Sequence, residues 1–113
     1  LSFAREVGDY QEEGQSLGNL GRLYLILGKP NKAIEYYQKS LAIARQIGAR
    51  QDEESALGSL GNLYILLGQH TQAVQYLEES LTIAKEIGSR RGQESNLEAL
   101  GSAYSTSGCY EVQ

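Results

Sequence analysis

This chain repeats itself every forty residues, and few folds can satisfy that. Residues 9–48 and 49–88 align without a gap at about eighteen identical positions, the mark of a stacked array. Gly28, Gly68 and Gly108 fall in register, as do Gly8, Gly48 and Gly88. Leu20, Leu60 and Leu100 align, each followed by a glycine (Gly21, Gly61, Gly101) and then by Tyr24, Tyr64 and Tyr104.

Within a row the apolar spacing is helical. Leu17, Leu20, Gly21, Tyr24 and Leu27 recur at steps of three and four, which places them on one helix face. Ala33, Tyr37, Leu41, Ala44 and Ile47 do the same for a second helix. Gly28 and Gly48 stand just past the two predicted ends, where glycine closes a helix without strain. Pro30 suits a first helical turn, and Asp9 with Glu12 reads as an N-terminal capping box. The expected class is therefore all-α, an α-solenoid of antiparallel helix pairs. No single pair can bury its apolar face, so stability comes from stacking on neighbours. Gly21 and Gly61 are expected to let the second helix approach closely.

The rows assign 9–48 and 49–88 as complete units. Residues 1–8 align with 41–48 and read as the end of a second helix from an earlier unit. Residues 89–113 read as a first helix and the start of a second. The chain is expected to be a piece of a longer array, with cut ends able to pack on another copy. In the third row Ser105-Thr106-Ser107 replaces Leu25-Ile26-Leu27. That change fits either an approaching cap or a specialised groove position.

Leu17-x-x-Leu20-Gly21-x-x-Tyr24 followed by Ala33 and Tyr37, repeated as Leu57, Leu60-Gly61-x-x-Tyr64, Ala73 and Leu77, resembles the tetratricopeptide repeat. Its common unit is 34 residues; the extra length here lies around Ile47 to Glu54. Forty-residue units with Leu-Gly-Asn-Leu-Tyr (60–64) and Leu-Ala-Ile-Ala-Arg (41–45) are similar to those of Pins-type cell-polarity adaptors and of related bacterial and invertebrate arrays. The resemblance implies a superhelix whose first helices line a concave, peptide-binding face. By helical spacing the inward positions are then Gln15, Gly18, Asn19, Arg22, Leu25 and Ile26, next Ser55, Gly58, Ser59, Asn62, Ile65 and Leu66. Ser95, Glu98, Ser102, Ser105 and Thr106 follow in the third row.

On this reading Gly18 and Gly58 leave room for a ligand backbone, and Asn62 both donates and accepts hydrogen bonds. Arg22 can fork onto a ligand carboxylate or pair with Glu98 or another acid within the array. Leu25, Ile26, Ile65 and Leu66 form either an apolar strip or contacts to the adjacent unit. Gly18 and Gly58 occupy the basic position of the carboxylate clamp in chaperone-binding members, so a chaperone tail is not the expected partner.

Charge and inventory exclude much else. Ten basic and fourteen acidic residues give −4, without the basic face that nucleic acid demands or a polybasic run for a membrane surface. No apolar run is long enough to span a bilayer. Residues 9–48 hold five basic and four acidic residues (+1), and 49–88 hold two and six (−4), a gradient able to orient a partner. His70, the only histidine, reads as a surface residue. Cys109, the only cysteine, has no base in its row and reads as an exposed turn. One unpaired thiol fits an intracellular, cytoplasmic setting. Asp52, Glu53 and Glu54 suit the positive end of a helix dipole better than a metal. No enzyme activity and no cofactor or metal is expected. The function expected is a protein-interaction scaffold binding an extended peptide; the alternative is a structural spacer or self-assembly element.

Overall fold

The apolar rows become helical hairpins because each glycine-marked boundary turns the chain back. A computed structural model describes residues 2–107, with side-chain surroundings for 7–105. Cys109 and the side chain of Thr106 lie outside those residues. Five helices follow in order: α1 (Ser2–Ile26), α2 (Pro30–Ile47), α3 (Arg50–Leu66), α4 (His70–Glu86) and α5 (Arg90–Ser107), with no strand among the described residues. This is the all-α solenoid of antiparallel pairs, α1 with α2 and α3 with α4, extended to 57 × 33 × 18 Å.

The turns share one construction. Gly28 and Gly48 adopt φ of +78° and +71°, the left-handed region that a side chain strains to enter. The next residue then donates back to the last turn of the helix: Lys29 N–H to Tyr24 O (2.8 Å), Ala49 N–H to Ala44 O (2.9 Å). Gly68 and Gly88 repeat the device.

Gly8 does not. The helix end expected there is absent: α1 runs unbroken through Gly8 and Asp9, so Asp9 and Glu12 cap nothing. A glycine inside a helix costs only about 1 kcal/mol. A chain reversal repays its loss of helix only when both arms pack. Around Gly48 they do, as α2 packs on α3.

The core lies between layers, with Ala33, Tyr37, Leu41, Ala56, Leu57, Leu60, Leu63 and Ile83 buried together. Burying one such leucine is worth roughly 1.5–3 kcal/mol. The glycines inside the first helices set the spacing. A Cβ on Gly61 would sit 2.5 Å from Leu77 Cγ, and one on Gly21 would sit 3.0 Å from the Tyr37 ring. One turn on, Tyr24 stacks on Tyr36 at 5.3 Å and Tyr64 on Tyr76 at 5.4 Å, geometry in which aromatic pairs attract.

Burial at one register position depends on the unit before it. Leu60 is fully buried and Leu100 nearly so, while Leu20 is 39% exposed. Helices α2 and α4 cover the first two; the matching face of α1, with Leu23, is open.

The acidic cluster at the start of α3 divides its labour. Asp52 and Glu53 occupy the first turn, as the helix dipole favours. Buried Glu53 accepts from Arg45 Nε (3.2 Å) and Arg50 Nη1 (3.1 Å). Those arginines reach on to Glu79 and Glu86 of α4, so one network pins three helices at the Gly48 turn. Glu54 points elsewhere.

Candidate functional site

Two inter-repeat clefts occupy equivalent places, one between α1, α2 and α3, the other between α3, α4 and α5. The first is open, with a volume of about 400 Å³, within the range of ligand sites. Helix α1 supplies Gln11, Gly14, Gln15, Gly18, Asn19 and Arg22 as one wall. Helix α3 supplies the other through Asp52, Ser55, Ala56 and Ser59. The floor is α2: Tyr37, Ser40, Ile43, Ala44 and Ile47.

The second cleft is filled by its own side chains. Glu54 turns inward, and its Oε2 accepts from Asn96 Nδ2 at 3.4 Å. Ser80 Oγ donates to the Glu54 carbonyl at 2.9 Å and lies 3.4 Å from that carboxylate. Ser80 and Asn96 are buried, and their polar atoms are satisfied. Register explains the contrast. Glu54 corresponds to Gly14, and Asn96 to Ala56, so the first cleft lacks both plugs. Gly92 corresponds to Asp52; a Cβ on Gly92 would lie 2.9 Å from Glu54 Oε2 and 3.1 Å from Ala84 Cβ. Without that Cβ, α5 packs on α3, whereas α1 makes no comparable contact with α3.

The open cleft is polar at both ends and apolar along its floor. At one end Gln11 Nε2 donates to Asp52 Oδ2 at 3.5 Å. At the other end Tyr37, Arg22 and Ser59 converge. Burial pushes the Tyr37 hydroxyl above its ordinary pKa, while the Arg22 charge and a hydrogen bond with Ser59 pull it back. Arg22 itself is exposed and, among the described residues, makes no ion pair; the pairing with Glu98 is not formed.

Of the inward positions read from spacing, Gln15, Gly18, Asn19, Arg22, Ser55 and Ser59 come together here. The rest lie elsewhere. The room expected over Gly58 is taken by Ser80 and Asn96, at 3.5 and 3.6 Å from where a Cβ would stand. Leu25 is half-buried against the core, Ile65 is half-buried, and Ile26 and Leu66 are 74% and 71% exposed. The four therefore do not form one strip. Asn62, Ser95, Glu98, Ser102 and Ser105 lie outside the cleft, Asn62 and Ser102 among them exposed.

Spacing alone missed Gln11, Gly14, Tyr37, Ser40, Ile43 and Asp52. The available signal was the set of positions where the rows differ (14/54, 52/92, 56/96), not those where they agree. His70 opens α4 and is half-buried. Among the described residues no group of three or more acidic, histidine or cysteine side chains is placed to hold a metal, and no helix is long and apolar enough to cross a membrane.

Comparison with known proteins agrees with this architecture. The crystal structure of the TPR domain of Arabidopsis FLU superimposes with a TM-score of 0.80 at 24% identity, over 85% of this chain and 81% of that one. That likeness concerns the fold. A search of curated proteins finds no significant match. The family model of the tetratricopeptide repeat matches residues 1–46 and 52–112, most of both complete units and of the flanking rows, and the chain belongs to the tetratricopeptide repeat family.

Proposed function

We propose that this chain is a non-catalytic scaffold that holds an extended segment of a protein partner along its first helices, anchored in the cleft between α1, α2 and α3. Repeats of this family mediate protein–protein interaction, which is the coarse reading. The finer one rests on a single observation: an unfilled cleft of about 400 Å³ gathers six of the inward-facing positions, while its neighbour of the same register is plugged. Its hydroxyls and amides suit a peptide backbone, whose donors and acceptors must be satisfied on binding.

The direct test closes the first cleft with side chains of the size that closes the second. Gly14→Gln with Ala56→Asn brings the lengths of Glu54 and Asn96 into the first unit, an amide replacing the carboxylate beside Asp52. Peptides selected from a random displayed library against the wild-type chain should lose at least tenfold in affinity for this variant, measured by calorimetric titration. Equal affinity would place the peptide elsewhere and defeat the proposal.

A second reading, a self-assembling or spacer element, draws on the open α1 face. Leu20 and Leu23 are 39% and 49% exposed there, where Leu60 and Leu63 are buried.

A further inference from the structure

The two ends of the open cleft differ in charge sign, which narrows the kind of peptide it suits. We infer that the cleft reads a bipolar segment: a basic side chain at the Asp52 end and an acidic side chain at the Arg22 end, three to five residues apart. The inference rests on the peptide-groove reading and adds the chemistry of the partner.

At the Asp52 end, Gly14 supplies no side chain where Glu54 fills the second cleft, and a Cβ there would stand 3.2 Å from Ile43 Cγ2. A second carboxylate is disfavoured at this end. Where Gly92 stands beside Glu54, the first cleft has the carboxylate of Asp52, which among the described residues accepts only from the amide of Gln11. Like charges at that distance repel, and an ammonium or guanidinium is attracted. Ile43 and Ile47 line the approach, matching the methylene stem of a lysine or arginine that carries its charge beyond an apolar surface.

The other end has the opposite sign. Arg22 is exposed with no acid bound to it among the described residues, and its charge acts on the Tyr37 hydroxyl, which Ser59 also meets. A guanidinium flanked by hydroxyls suits a carboxylate, which accepts several charge-assisted bonds at once. In the second unit Arg22 becomes Asn62 and Tyr37 becomes Leu77, so this end has no counterpart there.

The separation follows from helix rise. Asp52 to Ser59 spans about 10 Å along α3, and Gln11 to Arg22 about 16 Å along α1. An extended chain advances about 3.3 Å per residue. The ligand's opposite charges are thus three to five residues apart.

The experiment pans a random library of eight-residue displayed peptides against the wild-type chain, Arg22→Glu, Asp52→Asn and the plugged Gly14→Gln/Ala56→Asn variant, each verified as helical by circular dichroism. Wild-type selection should enrich an acidic and a basic position at the stated spacing. Arg22→Glu should lose the acidic preference and Asp52→Asn the basic one, each lowering the affinity of a wild-type-selected peptide by about tenfold. Peptides that enrich without the charge pair, or that keep both preferences in the variants, overturn the bipolar reading and leave the groove standing. If nothing enriches above the plugged variant, both readings fall.

Discussion

The first and second repeats share one backbone plan and differ in what fills the space between first helices. In the second unit a carboxylate, an amide and a hydroxyl close the cleft, and Gly92 lets α5 settle on α3. In the first, Gly14 and Ala56 are too small to reach across, and Asp52 takes the place of Gly92. The lesson is about repeat proteins as a class. Leucine, glycine and tyrosine in register make the stack, while the same register carries positions free to vary. Function has room only there, because exchanging a core leucine sacrifices kilocalories of packing. The units differ at their outer faces too: Leu60 is buried, and Leu20 lies open.

The largest effect should come from breaking that last contrast. Leu60→Ala removes a fully buried side chain and is expected to cost about 2–5 kcal/mol. Leu20→Ala, at the same register but 39% exposed, should cost under about 1 kcal/mol. Urea unfolding of both variants checks the difference. Equal costs, with a melting temperature that rises with protein concentration, would mean that Leu20 is covered by another copy. That result would favour the self-assembling reading over the groove.

A smaller effect should follow from opening the second cleft. Asn96→Ala makes it resemble the first at this position and takes the amide donor from Glu54 Oε2. Depriving this half-buried acceptor of a partner costs about 1 kcal/mol. Ala56→Asn, the reverse exchange in the first cleft, buries an amide that meets no carboxylate from position 14 and should cost roughly 1–3 kcal/mol. If the two exchanges prove equal and opposite, the polar plug is not what distinguishes the clefts.

Much of this was legible beforehand, and for a physical reason. Helix pairs, turns and core leucines depend on spacing and on residues that tolerate no substitute, such as the left-handed Gly28 and Gly48. The continuous α1 was not, since Gly8 sits in register with Gly48 and carries the same residue, yet α1 runs through it. The cleft was half legible. Arg22, Asn19 and Ser59 face inward by spacing, a property of one helix. A Cβ on Gly18 or Gly58 would stand 3.5 Å from a serine hydroxyl, of Ser40 and Ser80 respectively; that Gly58 is covered further depends on Asn96, a side chain distant in sequence. The floor residues Tyr37 and Ser40 come from the second helix, which a concave face built of first helices leaves out.

The smallest effect concerns the Tyr37 hydroxyl at the basic end of the open cleft. Burial raises its pKa above the usual 10, against the opposing pull of Arg22 and Ser59, so the folded chain keeps this proton to a higher pH than the unfolded chain does. The unfolded state therefore binds fewer protons once the pH passes about 10, and stability falls as the pH rises from there through the raised value. Below that point the contribution is complete and flat. Tyr37→Phe should remove this share of the alkaline fall and leave that of Tyr64, also raised by burial, in place. At neutral pH the same exchange loses only a hydroxyl hydrogen bond, about 0.5–1.5 kcal/mol. Melting curves from about pH 7 to 11, spanning the tyrosine range, separate the two contributions. An alkaline slope as steep as wild type would mean that the hydroxyl titrates freely, and that the basic end of the cleft is wetter than its walls suggest.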